Sequence, residues 1–158
     1  MKVTFIDTSI LCELLEVPGK HSTEGSASIQ QELVLRIDDG ERFVIPITAV
    51  IETGNHIAQC SGDRFEISGR LVRLLEQARG SNAPFVVNET AWDESFLERL
   101  CAGDSTHESL QDLAAKRVGA GDIAILVERD RFVERSAFSK GSISVWTLDV
   151  ALGELATR

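Results

Sequence analysis

The chain has 158 residues, 43% of them hydrophobic, and its 16 Lys and Arg against 25 Asp and Glu leave a net charge of −9. A domain of this length buries roughly 70% of the surface its unfolded chain exposes, so neither a disulfide framework nor a structural metal is needed to hold it together. The acidic balance opposes nonspecific binding to nucleic acid or anionic membrane, both of which rest on basic surface, so any nucleic-acid contact must be local.

Val3-Thr4-Phe5-Ile6 reads as the first strand. Asp7 breaks this apolar run long before the roughly 18 residues of a membrane span, and no cleavage-site pattern follows, so a cytoplasmic protein with no membrane partner is expected. Thr8 and Ser9 open the next helix, and Cys12 is the first of three cysteines, with Cys60 and Cys101, that are odd in number and contain no C-x-x-C pair. That spacing predicts reduced, buried thiols. Gly19 to Ser28 is the most loop-like stretch, after which Ile29, Leu33 and Ile37 recur as one face of a helix. Phe43 to Ile45 is the second strand. Past Pro46, Thr48 is expected to cap a helix with Ala49, Thr53, Ile57 and Cys60 on one face. Asp63 and Glu66 are spaced as a capping box ahead of the stripe Leu71, Leu74, Leu75 and Ala78. Phe85 to Val87 is the third strand. Trp92, Phe96 and Leu100 mark a helix, Cys101 to Glu108 a loop, and Leu110, Leu113 and Ala114 a further helix. Gly119 and Gly121 lead to an apolar helix from about Ile123, and Ile143 to Trp146 is the last strand. The two tryptophans and seven Phe are assigned mostly to the core, and their spacing shows no stacking platform for single-stranded RNA.

Short apolar strands separated by helical stretches predict an α/β protein: a single domain over 1–158 in three layers, α/β/α, around a mostly parallel sheet of four or five strands. In such sheets ligands sit outside the carboxyl ends of the strands. Asp7 ends the first strand, and Glu52 lies about a turn into the helix after the second. Asp122 stands where glycine punctuation meets an apolar helix, and Asp149 follows the last strand. Helix capping accounts for Asp7 or Asp122 taken alone. Taken together, four such acids in a shared cleft would repel one another unless a cation neutralised them. Oxygen ligands of this kind suit Mg²⁺ or Mn²⁺.

The motif Phe5-Ile6-Asp7-Thr8-Ser9-Ile10-Leu11, the Glu-bearing stretch Ile47 to Glu52, the segment Gly121-Asp122-Ile123-Ala124-Ile125 and the ending Thr147-Leu148-Asp149 occur in that order. Together they resemble the PIN domain, the metal-dependent nuclease fold of VapC-type toxins and RNA-processing nucleases, over nearly the whole chain. The resemblance implies hydrolysis of RNA phosphodiesters without a covalent enzyme intermediate. Asp7, Glu52, Asp122 and Asp149 would hold one or two Mg²⁺ or Mn²⁺ ions as the catalytic set. In this family the last acid binds metal directly, acts through water or is missing. Thr8, Ser9 and Thr147 would orient ligands or water, although a helix cap explains the first two equally well. A VapC-like chain would also pair as a homodimer and meet an antitoxin or other inhibitory protein. The Asp122 to Thr147 interval and the region from Asn88 to Lys116 are longer than in a compact PIN toxin, and substrate choice is expected to reside there.

Two segments are net positive: Lys116 to Lys140, with six bases against four acids, and Arg64 to Arg79, with four against two. Arg70, Arg73, Arg129 and Arg131 are therefore candidate RNA contacts, against the simpler reading of solvated helix faces. His21, His56 and His107 are scattered, and His56, a turn from Glu52, reads as structural. An aspartyl phosphotransferase would also put Asp after the first strand, but Ser9 stands where its second Asp belongs, and a receiver domain would need early paired acids and a late Lys. The remaining rival is a catalytically inactive PIN-like protein-binding module, its acids serving as caps and surface charge.

Overall fold

The computed structural model describes residues 1–80 and 84–158. Among them are four strands and eight α-helices: β1 (Val3–Ile6), α1 (Thr8–Leu14), α2 (Thr23–Asp38), β2 (Arg42–Val44), α3 (Ile47–Gln59), α4 (Arg64–Ala78), β3 (Phe85–Val86), α5 (Glu94–Ala102), α6 (Leu110–Ala115), α7 (Ala120–Arg135), β4 (Ile143–Trp146) and α8 (Val150–Ala156). The four strands form one sheet, ordered β3-β2-β1-β4, and every pairing is parallel. The α/β class and its helix-covered parallel sheet are as the alternation of apolar runs predicts.

Alternation along the strands sends side chains to both faces. Val3 and Phe5 of β1, Val44 of β2 and Ile143 of β4 join Phe96, Leu113, Leu126 and Leu152 on one face, where α5, α6, α7 and α8 pack. Ile6, Phe43 and Trp146 turn to the other, against Ile10, Leu11 and Ile29 of α1 and α2 and Ala49 of α3. The central strand is buried along its whole length. Its one polar side chain, Thr4, is satisfied there by Glu41 and by Ser144 at 2.8 Å. Arg36 in turn pairs with Glu41 at 3.1 Å and lies 4.4 Å over the Trp146 ring, closing the edge of that layer.

Several local expectations are corrected. Thr23 to Ser28 is helical rather than loop: Ser22 caps α2 by accepting from Gly25 N, and the buried Ser26 donates to Glu13 across from α1. Tertiary partners for small polar residues override their loop-like composition. Thr48 does not cap α3. Pro46 occupies the cap, its ring holding φ at −63° without a side-chain hydrogen bond, and the helix starts at Ile47. Asp63 does cap α4, but Glu66 bonds Arg70 at 2.8 Å instead of returning to the cap. Trp92 lies ahead of α5, which begins after the Asp93 cap, and it is 55% exposed rather than core. Cys101 is exposed, whereas Cys12 and Cys60 are buried thiols. Residues 101–102 close α5, and the turn beyond it needs glycine: Gly103 has φ +73°, and a Cβ there would stand 1.7 Å from the Glu108 carbonyl oxygen. Among the described residues no helix is long and apolar enough to cross a membrane.

Candidate functional site

Chain order makes β1 the switch point of the sheet, since the connections run outward to β2 and β3 on one side and return to β4 on the other. Open parallel sheets bind ligands in the crevice at that point. There a cleft of about 290 Å³ is lined by Asp7, Glu52, Asp122 and Asp149. The four acids come from the end of β1, the second turn of α3, the first turn of α7 and the cap of α8.

Asp7 is 4% exposed and is fixed by three donors on its Oδ2: Ser9 Oγ at 2.7 Å, Thr147 Oγ1 at 2.8 Å and Ser9 N at 3.3 Å. It therefore caps α1 and faces the cleft at once, so capping and site are one arrangement. Ser9 Oγ accepts from Leu148 N at 2.9 Å and Thr147 Oγ1 from Asp149 N at 2.9 Å, which ties the β4 exit to the start of α1. Thr8 Oγ1 donates to Glu52 Oε2 at 2.8 Å. Thr8 thus bonds the Glu52 carboxylate, and Ser9 and Thr147 bond that of Asp7. Asp149 caps α8 by accepting from Leu152 N at 2.9 Å. Asp122 is no cap, because α7 starts at Ala120 after Gly119, which puts the carboxylate in the first turn. Burial, reinforced by the charges of Asp7, Asp149 and Glu52, raises its carboxyl to about 6.

The folded protein holds that proton more tightly than the unfolded chain, where an Asp titrates near 3.8. The favourable contribution is fully present below about pH 4 and is lost as pH rises through about 6. Asp122→Asn should therefore raise the melting temperature by a few degrees at pH 7.5 in chelator, and the gain should disappear at pH 4; calorimetry at both pH values checks it.

The helix entry is also sterically tuned. A Cβ on Gly121 would lie 2.0 Å from Glu52 Oε1, so only glycine lets α7 approach Glu52 this closely. The clashing atom ends a flexible side chain, so Gly121→Ala should keep the fold but swing Glu52 off Thr8. The melting temperature should not fall, since alanine is favoured over glycine in a helix interior, as paired melting curves of wild type and variant read.

The donor set is all oxygen, which fits Mg²⁺ or Mn²⁺ in chemistry and in charge. Among the described residues no three His, Cys, Asp or Glu side chains are gathered tightly enough to hold a metal ion as they stand. Asp7, Glu52 and Asp149 each commit one oxygen to hydrogen bonds within the protein and leave the other without one from the described residues.

Residues that sequence reasoning did not select complete the lining: Cys12, Glu13 and Lys20, with His56 alongside. The i, i+4 spacing from Ser9 to Glu13 on α1 was the available signal for Glu13; nothing marked Lys20, which arrives from the turn after α1. The proposed RNA contacts fare unevenly. Arg129 is 2% exposed, bonded to Asp130 at 2.7 Å, to the Ala156 carbonyl at 2.7 Å and to Ser105, so it is a core residue and not an RNA contact. Arg131 is spent on Asp93 at 2.9 Å and on the Ala91 carbonyl, and Arg70 on Glu16, Glu66 and the Leu15 carbonyl. Arg73 is exposed on α4. Compared with known proteins, the chain is matched by no family model, no curated protein and no solved structure.

Proposed function

We propose that this chain is a divalent-metal-dependent endoribonuclease, a PIN-like phosphodiester hydrolase that serves as a VapC-type toxin or as an RNA-processing nuclease. The observation that carries the reading is the assembly of Asp7, Glu52, Asp122 and Asp149, from four separate elements, along one cleft at the switch point of the sheet. These carboxylates would hold one or two Mg²⁺ or Mn²⁺. When bound, such ions supply an activated water and the positive charge that phosphodiester hydrolysis requires. The chain's own part is geometric. Ser9 and Thr147 fix the Asp7 carboxylate, Thr8 fixes Glu52, and Lys20 and His56 place basic side chains on the cleft lining, where a phosphate would meet them.

RNA is thus the proposed substrate, while an inhibitory antitoxin and a second copy of the chain are partners that the PIN resemblance suggests. The direct test is incubation of the protein with structured RNAs in Mn²⁺, in Mg²⁺ and in chelator, with melting curves under the same conditions. Metal-dependent cleavage together with a rise in melting temperature on adding Mn²⁺ is expected, because an ion that binds only the folded state stabilises it by mass action. Absence of both would move the protein to the non-catalytic, protein-binding reading.

A further inference from the structure

Beyond the carboxyl ends of β2 and β3 lies a second hollow, of about 430 Å³, that shares no lining residue with the acidic cleft. Ile47, Val50, Leu75 and Val87 give it apolar walls. Polar groups interrupt them, Arg79, Asn88, Thr90 and Glu128. Glu128, on the lining and 1% exposed, accepts from Asn88 Nδ2 at 3.4 Å through Oε2 and has the Ile47 N–H at the start of α3 directed at its carboxylate, while Oε1 makes no close hydrogen bond among the described residues. Thr90 Oγ1, also on the lining, is buried and equally without a partner among the described residues. Buried polar atoms of this kind are costly unless a donor or acceptor is brought to them.

Trp92 stands at the rim, 55% exposed, its ring stacked on Phe96 at 5.1 Å between centroids and 19° between planes. The same indole lines an adjoining hollow of about 230 Å³ that reaches Glu52 and Gly121. Trp92 thus lines both the large hollow and the smaller one, and Glu52 lines both the smaller one and the acidic cleft. Arg79, exposed at the end of α4, adds a cation to the rim.

We propose that this hollow is a nucleobase subsite that selects guanine and holds one nucleotide of the substrate beside the cleft; the link to a substrate rests on the ribonuclease reading above. An ionised carboxylate can only accept hydrogen bonds. Guanine alone among the four bases presents two adjacent donors, N1–H and N2–H, on its Watson–Crick edge, whereas the others set an acceptor beside their donor. RNA modules read unstacked bases in this way, by an aromatic face and by edge hydrogen bonds. Arg79 suits a ligand that carries phosphate and disfavours the Lys or Arg of a protein partner. A purely apolar side chain from such a partner would leave Glu128 Oε1 and Thr90 Oγ1 unpaired.

The test uses the full chain in chelator at pH 8, above the value of about 7 to which burial raises Glu128. The four nucleoside 5′-monophosphates are titrated by calorimetry and by quenching of Trp92, the other tryptophan being 6% exposed. Saturable binding of GMP at least about 10-fold tighter than AMP is expected. Trp92→Ala, at an exposed position that does not threaten the fold, should weaken GMP about 10-fold. Glu128→Gln, which replaces one acceptor by a donor amide, should erase the preference over AMP. No saturable GMP binding, or equal binding of all four nucleotides unchanged by Glu128→Gln, overturns the proposal. Cleavage of RNA without GMP binding would remove this subsite alone, while GMP binding without metal-dependent cleavage would remove the nuclease and keep the subsite.

Discussion

Replacing Asp7 by Asn is expected to lower Mn²⁺-dependent RNA cleavage by about 100-fold or more, beyond the range typical of residues that only support a metal ligand, while the protein stays folded. Asp7 is the acid with the least freedom: it is 4% exposed, and Ser9 and Thr147 hold its Oδ2 from two ends of the chain. An Asn carbonyl oxygen can accept the same donors, so the cap of α1 and the junction to β4 survive. The substitution removes a negative charge and one anionic oxygen. Because Asp7 also helps to raise Asp122, the Asp122 carboxyl should titrate lower in the variant. Single-turnover cleavage and a melting curve in chelator read the two halves of this expectation. Wild-type cleavage by Asp7→Asn would remove the acidic cleft from the chemistry.

The largest effect on stability is expected at Arg129. Its guanidinium is 2% exposed and binds Asp130, Ser105 and the carbonyl of Ala156, joining α7 to the end of α8 and to the turn after α5. Asp130 sits among buried groups as well. Burial works to raise its carboxyl, yet the bonds from Arg129, Asp104 and Ser105 hold it below the usual range. Burial, together with the neighbouring Asp130, pushes the Asp104 carboxyl upward against the pull of Arg99. Arg129→Met keeps most of the volume and strands the Asp130 charge, a change that costs about 3–5 kcal/mol. In a domain of this size that lowers the melting temperature by roughly 6–20 °C. Adding Asp130→Asn should recover much of the loss, because neutralising both members of a buried pair is far cheaper than breaking it. A single variant as stable as wild type would show that Arg129 acts only as packing.

The same residue shows why charge counts along the chain misled. Lys116 to Lys140 carries an excess of bases, but Arg129 is core and Arg131 and Arg135 close onto Asp93, Asn88 and backbone carbonyls. Whether an Arg is free to meet RNA depends on which acceptors lie across from it, and Asp93 and Asn88 are 38 or more residues away from Arg131 and Arg135. Trp92 misled in the opposite sense: its spacing with Phe96 suggested a buried helical stripe, whereas Asp93 starts α5 after it and leaves the indole outside.

Sequence alone determined the elements whose signals are local. Asp7 at the end of an apolar strand, Asp63 as a cap, and β-branched runs between helical periods need only neighbouring residues, because backbone geometry and side-chain alternation act within a few positions. Tertiary structure decided everything that requires distant parts of the chain to meet: the strand order that puts β1 at the switch point, the Thr147 and Thr8 bonds that aim Asp7 and Glu52, the intimacy of Gly121 with Glu52, and the burial that lifts Asp122 and Glu128. The physical reason is range. Propensity and capping are written into adjacent residues, while desolvation and mutual repulsion of charges depend on what packs around a group after the chain has closed.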